Sequence, residues 1–144
     1  MKIIRGILAV IAGWIGGSFI NLSLINLGHK VFPMEGIDTK DMKALAEVMP
    51  TMGANYFIFP FLAHALGTFV GAFLAGIIAA NHKMKFALAI GVLFLIGGII
   101  INIMITGPLW FTITDILVAY IPMAWLGGKL AVMVSSSTKK IQSS

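Results

Sequence analysis

Four long apolar segments dominate the pattern of hydrophobic and polar positions along this chain, and short polar stretches separate them. Each segment reaches or exceeds the ~20 residues that an α-helix needs to cross the ~30 Å hydrocarbon layer of a membrane. Lipid offers no partners to backbone N–H and C=O groups, so a single spanning segment of this kind folds as a helix. The predicted transmembrane helices are Ile7–Gly28, Ala54–Ala80, Phe86–Ile105 and Phe111–Val134.

These segments predict an all-α membrane protein in which four transmembrane helices form two up–down hairpins in one domain, residues 1–134. The composition agrees, because 59% of the residues are hydrophobic and 10% are charged, whereas about a quarter of a soluble domain is charged. The first segment is longer than the ~7–15 apolar residues of a secretory signal peptide, so we expect a retained helix. Residues 135–144 are predicted to form a polar cytoplasmic tail.

The longest polar stretch follows the first span and predicts a short additional helix at about residues 39–49. Asp38 or Thr39 is the predicted N-cap, and Pro50 ends the segment. Its apolar side chains recur with helical spacing, which is typical of an amphipathic helix lying on a membrane surface. We interpret it as a lid over the bundle, and the alternative is a gate for a partner or substrate. The apolar positions are Met42, Leu45, Ala46 and Met49.

The positive charges predict the orientation of the helices. Seven Lys and Arg residues lie on the side that carries both termini, and three lie on the other side. The positive-inside rule therefore predicts that both termini lie on the cytoplasmic side of a cell (inner) membrane and that residues 29–53 lie outside. The formal net charge of +5 comes from residues at the ends of the spans rather than from one patch. The charge therefore does not indicate a nucleic-acid partner.

The first and third spans share the pattern Ile-Gly-Gly-x-x-x-Asn, at Ile15–Asn21 and Ile96–Asn102. Both spans run in the same direction, so the pattern is consistent with a parallel internal repeat of the two hairpins. Apolar segments also align by chance, and both origins remain open.

Small residues recur every four positions in several spans, which lets helix backbones approach each other closely. The partner helix lies either in the same chain or in another copy, and the number of small faces favours a homo-oligomer. The predicted helix-packing residues are Gly13, Gly17, Gly67, Gly71, Ala75, Gly98 and Gly128.

Polar residues inside the spans are concentrated in the half that is predicted to be outer. Asp115 is the only carboxylate within or bordering a span, and His64 is the only histidine well within one. Ionisable groups are expensive inside a membrane and mark functional sites by default. We hypothesise that the two residues pair, because they lie at matched depth and each would stabilise the other. The candidate ligand or ion site consists of His64, Asp115, Asn21, Asn102 and Asn55.

Two interpretations of this cluster remain open. The polar side chains either join helices by hydrogen bonds worth ~0.6 kcal/mol each, or they line a cavity that binds a proton, ion or small polar ligand from outside. For Asn21 and Asn102 we favour helix joining, and for His64 and Asp115 the two interpretations are balanced. Kinks at Pro60 and Pro122 would widen the outer opening, but we favour the interpretation that packing accommodates these prolines locally.

Several chemistries lack the residues they need. The chain has no cysteine, which excludes disulfides and thiolate ligands. Its three histidines lack metal-binding spacing, so we expect no metal and no cofactor. No serine or cysteine stands in a nucleophile motif, so we predict no catalytic residues.

We therefore predict a small non-catalytic membrane protein that acts through helix packing with itself or with a membrane partner and binds a lipid or small ligand from the outer side. The alternative is a small carrier or channel for a proton, ion or small solute that uses His64 and Asp115. A membrane-embedded enzyme is the third choice. The expected partners are the lipid bilayer and either a second copy or another membrane protein.

Overall fold

The computed structural model describes the backbone of residues 2–142 and the side chains as far as Ser137. Two short 3₁₀ turns, Met49–Thr51 and Ala54–Phe57, precede the second span. The prediction of an all-α protein with four membrane-spanning helices is confirmed, since four helical segments are long and apolar enough to cross a membrane. The α-helices of the described residues are α1 (Lys2–Val31), α2 (Met42–Val48), α3 (Ile58–Ile78), α4 (Lys83–Met104), α5 (Leu109–Val118) and α6 (Ile121–Gln142).

Most helices begin or end a few residues away from the predicted positions, and two of these differences change the description of the fold. Helix α2 begins after Asp41, whose carboxylate accepts hydrogen bonds from the N–H groups of Lys43 and Ala44 at 2.9 and 3.3 Å. The predicted cap at Asp38 or Thr39 is wrong, because the Asp38 carboxylate accepts from the N–H two residues later and closes a turn instead. Helix α6 continues to Gln142, so the predicted tail begins as helix, and residues 143–144 lie outside the described residues.

The fourth span is not one continuous helix, although the sequence predicts one. Helix α5 ends at Val118, and α6 begins at Ile121. Pro122 has no N–H to donate to the Val118 carbonyl, and its ring crowds that group, so the helix breaks there. The break leaves Tyr120 inside the bundle with 1% of its surface exposed. Pro60 lies in the first turn of α3, where no helical hydrogen bond is lost, and it introduces no such break.

Helix α3 is the centre of the bundle and packs against α1, α4 and α6. Glycines bring the backbones of α1 and α3 into contact. A Cβ atom at Gly13 would lie 2.6 Å from the carbonyl oxygen of Gly71, and one at Gly17 would lie 2.6 Å from that of Gly67. Close approach of this kind provides the packing that lipid cannot drive by hydrophobicity. Helix α1 contacts α4 only sparsely.

The predicted packing residues are used inside the chain. Gly98 lies beneath the Tyr120 ring, Gly128 lies against Ala87, and Ala75 is fully buried beside α1. Because these small residues already contact other parts of the same chain, they leave no small-residue face free to contact a second copy. The homo-oligomer stays a prediction.

The two hairpins, α1–α3 and α4–α6, use their shared pattern in a similar way. Gly17 and Gly98 each face the second helix of their own hairpin, as an internal repeat requires. The two hairpins differ in their second spans, because among the described residues only that of the second hairpin is broken, between α5 and α6. The common origin of the hairpins stays a prediction.

The bundle has two distinct ends, which we call the terminal end (the start of α1 and the turn 79–82) and the loop end (residues 32–57 and the turn 105–108). At the terminal end, Lys83 Nζ donates to the carbonyls of Gly76, Ile77 and Ala79 at 2.9–3.0 Å. Arg5 Nε donates to the carbonyl of Ile78 at 2.7 Å. These cations satisfy the free carbonyls of α3 and complement its dipole.

Candidate functional site

The side chains of His64 on α3 and Asp115 on α5 are in direct contact. His64 Nδ1 lies 2.9 Å from Asp115 Oδ1 and 3.0 Å from Oδ2. The Asp115 side chain is completely buried, whereas 15% of the His64 side chain is exposed. A carboxylate without water must find hydrogen-bond donors within the protein. The pairing hypothesised from matched depth is thus present, and the imidazole meets part of that need.

Tyr120 completes the hydrogen-bond network, and sequence reasoning did not select it. Its hydroxyl donates to Asp115 Oδ2 at 2.8 Å, and its ring centroid lies 5.7 Å from that of His64. The helix break and the missing side chain at Gly98 make room for this ring. The sequence signal that could have identified Tyr120 is its position well inside a predicted span, because tyrosines of membrane proteins are enriched at the interfaces rather than in the middle of a span.

Asp115 determines which edge of the His64 ring is available. The carboxylate occupies Nδ1, so Nε2 is the ring nitrogen that remains for other partners, and the His64 residue lines two cavities. No group of the described residues forms a hydrogen bond with Nε2. The neutral ring presents Nε2 as an acceptor, and the protonated ring presents it as a donor. Asp115 and Tyr120 therefore act as positioning residues for one free ring nitrogen.

A cavity of about 360 Å³ lies at the loop end, and His64 forms part of its wall. We call it the loop-end cavity. Met42 and Leu45 of α2 form part of its wall, and the interpretation of α2 as a lid stays a prediction. Most of the lining is aliphatic or aromatic, with a few polar groups that converge on the space. The polar lining residues are Asn21, His29, Thr39, Tyr56, His64 and Asn102.

A second space of about 290 Å³ opens between α1 and α4, and we call it the lateral cleft. Trp14 and Ser18 of α1 line one side, and Leu93 and Gly97 of α4 line the other. A Cβ atom at Gly97 would meet no atom within 4 Å, so the cleft is open at this position. An apolar groove of about 590 Å³ between α1 and the start of α4 continues the same seam at the terminal end.

The loop-end cavity and the lateral cleft lie next to each other, and His64 is part of the wall of both. Both are lined by the same four residues, Asn21, Leu22, His64 and Ile101. Toward the terminal end, the bundle is closed by a cluster of completely buried side chains. That cluster consists of Ala72, Ala75, Ala87, Ile90 and Ala124.

The three asparagines of the predicted site have different environments. Asn102 Nδ2 donates to the Gly98 carbonyl and its Oδ1 accepts from the Thr112 hydroxyl, both at 3.0 Å, so it joins α4 to α5. Asn21 is half-buried between the two spaces, and its side-chain amide has no hydrogen-bond partner within the described residues. Asn55 is exposed in a 3₁₀ turn and lines neither space, so the structure does not bring it to the site.

One further polar group is buried nearby. The Thr68 hydroxyl, one helical turn beyond His64, is completely buried and has no hydrogen-bond partner. It lies on the face of α3 between Ala65, which packs with Tyr120, and Ala72 of the core cluster. Thr68 lines neither of the two spaces and is separate from the His64 nitrogen.

Where the two spaces share their lining, the groups without a hydrogen-bond partner among the described residues are His64 Nε2 and the Asn21 amide, and both can hydrogen-bond a ligand. Within the described residues, no group of three or more His, Asp or Glu side chains could hold a metal ion. Comparisons of the chain with protein-family models, with curated proteins and with solved structures found no match. The function must therefore be inferred from the chemistry of the site itself.

Proposed function

We propose that this small polytopic membrane protein binds a small, largely apolar molecule with one polar group in the loop-end cavity, and that it catalyses no reaction. The observation that carries the proposal is the His64 ring, which lines an apolar cavity and which buried Asp115 holds by one nitrogen, while the other has no hydrogen-bond partner among the described residues. Cavities of ~300–1,000 Å³ with apolar walls and a few convergent polar groups are typical of ligand sites.

The lining of the cavity supports binding rather than catalysis. The loop-end cavity is lined by no serine, lysine, aspartate or glutamate side chain, and Asp115 is fully used in holding His64 and Tyr120. The imidazoles of His29 and His64 line this cavity and can hydrogen-bond a ligand, but an acid–base reaction needs further positioned groups around the reacting atoms.

Binding is also favoured over transport by the packing beyond His64. A carrier must expose its site to both sides of the membrane in turn, whereas the core cluster of alanines and Ile90 closes the bundle toward the terminal end. The backbone contacts between Gly13, Gly17, Gly67 and Gly71 hold α1 on α3 along the same stretch. Binding is preferred to assembly because these same glycines are used within the chain.

The orientation of the protein completes the proposal. The distribution of lysine and arginine supports an orientation in which both termini lie on the cytoplasmic side of a cell membrane. In that orientation the loop end, its cavity and the α2 lid lie on the outer side.

Native mass spectrometry of the protein, released from cell membranes in polymer-bounded discs, tests this function. We expect the natural protein to retain a small molecule that is enriched over the surrounding bilayer lipids. The His64→Asn variant should lose it, because the asparagine amide can still donate to Asp115 while the Nε2 edge is removed. The control is His82→Asn, which changes a histidine at the terminal end whose left-handed backbone suits asparagine.

Two outcomes would overturn the proposed function. One is a natural protein that retains nothing beyond the bilayer lipids. The other is equal retention of the same molecule by the natural protein and by His64→Asn.

A further inference from the structure

We propose that the ligand is a single-chain amphiphile, of the class of fatty acids and fatty alcohols, which enters from the bilayer through the lateral cleft. Its polar head would bind at His64 and Asn21, and its hydrocarbon chain would lie between α1 and α4. This inference rests on the proposed function and deepens it, because it names the class of ligand and its route.

The adjacency of the two spaces suggests the route. The loop-end cavity and the lateral cleft share His64, Asn21 and two apolar residues, so a head group at His64 lies beside both spaces and its chain is assigned to the cleft. The cleft faces lipid rather than water, since it opens between two membrane-spanning helices. Toward water, the loop-end cavity is covered by apolar side chains of α2 and the turn after it, including Met42, Leu45 and Met49.

The unused hydrogen-bonding groups specify the head group. At the junction, His64 Nε2 and the Asn21 amide lack partners among the described residues, whereas Asn102, Asp115 and Tyr120 are already bonded. A hydroxyl or carboxylic acid can both donate and accept, so it can bond to the imidazole in either protonation state and to the amide. A metal ion or inorganic ion would find one imidazole and one amide, which is too few ligands in an apolar wall.

The shape of the cleft specifies the tail. Its walls are mainly apolar, with Trp14 on α1 and Leu93, Phe94 and Gly97 on α4. Because Gly97 has no side chain, the gap stays open at the depth of His64. The cleft is a single gap of about 290 Å³ between two helices, so we assign one hydrocarbon chain to it.

Quenching of Trp14 by a brominated fatty acid tests the proposal. The background protein carries Trp110→Phe and Trp125→Phe, so that Trp14 in the cleft is its only tryptophan. A fatty acid with bromine in mid-chain is added at low mole fraction to discs of unbrominated phospholipid. We expect quenching that saturates, and an alkane brominated at the same depth without a head group should quench without saturation.

Three variants separate the head from the tail. His64→Asn should raise the apparent dissociation constant about tenfold, which corresponds to ~1.4 kcal/mol for one hydrogen bond. Asn21→Ala should raise it about threefold and breaks no hydrogen bond among the described residues. Gly97→Leu should abolish saturable quenching by filling the cleft. The matched control Val92→Leu adds bulk at an exposed position of α4 that does not line the cleft and should change nothing.

The outcomes distinguish this inference from the function on which it rests. The single-chain assignment is wrong if the Gly97→Leu variant binds the fatty acid as well as the natural protein does. It is also wrong if the His64→Asn and Asn21→Ala variants both bind the fatty acid normally. The same holds if the fatty acid and the bromoalkane quench alike. In each of these cases the mass-spectrometric result still decides whether the loop-end cavity holds another molecule. If that experiment also finds no retained molecule, the proposed function fails with the inference.

Discussion

Replacing His64 with leucine tests whether the buried network of His64, Asp115 and Tyr120 is held together by charge. The substitution leaves the Asp115 carboxylate in a completely buried site with only the Tyr120 hydroxyl as a side-chain donor. Removing one partner of a buried charge pair costs about 3–5 kcal/mol, because the remaining charge stays desolvated and unpaired. We therefore expect His64→Leu to lower the free energy of unfolding by about that amount.

A second substitution makes this expectation sharper. In the His64→Leu background, Asp115→Asn should restore part of the lost stability, because it removes the unpaired charge while an amide oxygen can still accept from Tyr120. In the natural background, the same Asp115→Asn change should destabilise the protein, since it weakens the bond to the imidazole. The sign of the effect of one substitution thus depends on the residue at position 64.

Reversible unfolding in mixed micelles with increasing dodecyl sulfate, followed by far-ultraviolet circular dichroism, measures the four variants of this cycle. The His82→Asn variant is the control, because it alters a histidine at the terminal end that is not part of the network. The reasoning would be refuted if Asp115→Asn lowered the stability of the His64→Leu protein further, or if His64→Leu had no more effect than the control.

Three further predictions concern the helices around the site. Gly97→Ala should stabilise the protein by about 0.5–1 kcal/mol, because the added Cβ meets open space. Gly71→Ala should destabilise it by ~1–3 kcal/mol, because the added Cβ would lie 2.6 Å from a backbone oxygen. Equal effects of the two substitutions in the unfolding assay would contradict this packing. Tyr120→Phe should lower stability by ~1.5–3 kcal/mol through the loss of a hydrogen bond to a charged group, and an unchanged unfolding midpoint would argue against that bond. Lys83→Met should speed amide exchange in the last turn of α3, whose carbonyls its ammonium group caps, and hydrogen-exchange mass spectrometry should show no change in α2 at the opposite end of the bundle.

Some local features were visible in the sequence, and others were hidden by competing local interactions. The helical spacing of Met42 and Leu45 indicated α2, but the carboxylates at positions 38 and 41 are both able to cap, and only the backbone conformation shows that Asp41 does so. Pro122 is visible as a helix breaker, yet sequence alone did not indicate whether neighbouring groups would accommodate it within a continuous helix.

The candidate site also contains residues that the sequence could identify and contacts that it could not. Its ionisable members were identifiable because a histidine and a carboxylate in apolar spans are rare and costly. Asn21 and Asn102 occupy equivalent places in the shared pattern, yet one amide is free and the other is bonded to Thr112. This difference follows from the neighbours of each helix, which the pattern does not contain.

The sequence by itself determined the class of protein, its four spans and the half of the bundle that holds the polar groups, because length and hydrophobicity are properties of each segment alone. Only the tertiary structure decided that His64 meets Asp115, that the helix break brings Tyr120 to them, and that a cleft remains between α1 and α4. These contacts depend on how far each helix is rotated and how closely it approaches its neighbours. Backbone contact at the glycines of α1 and α3 sets both quantities, and it arises only when the helices are packed together.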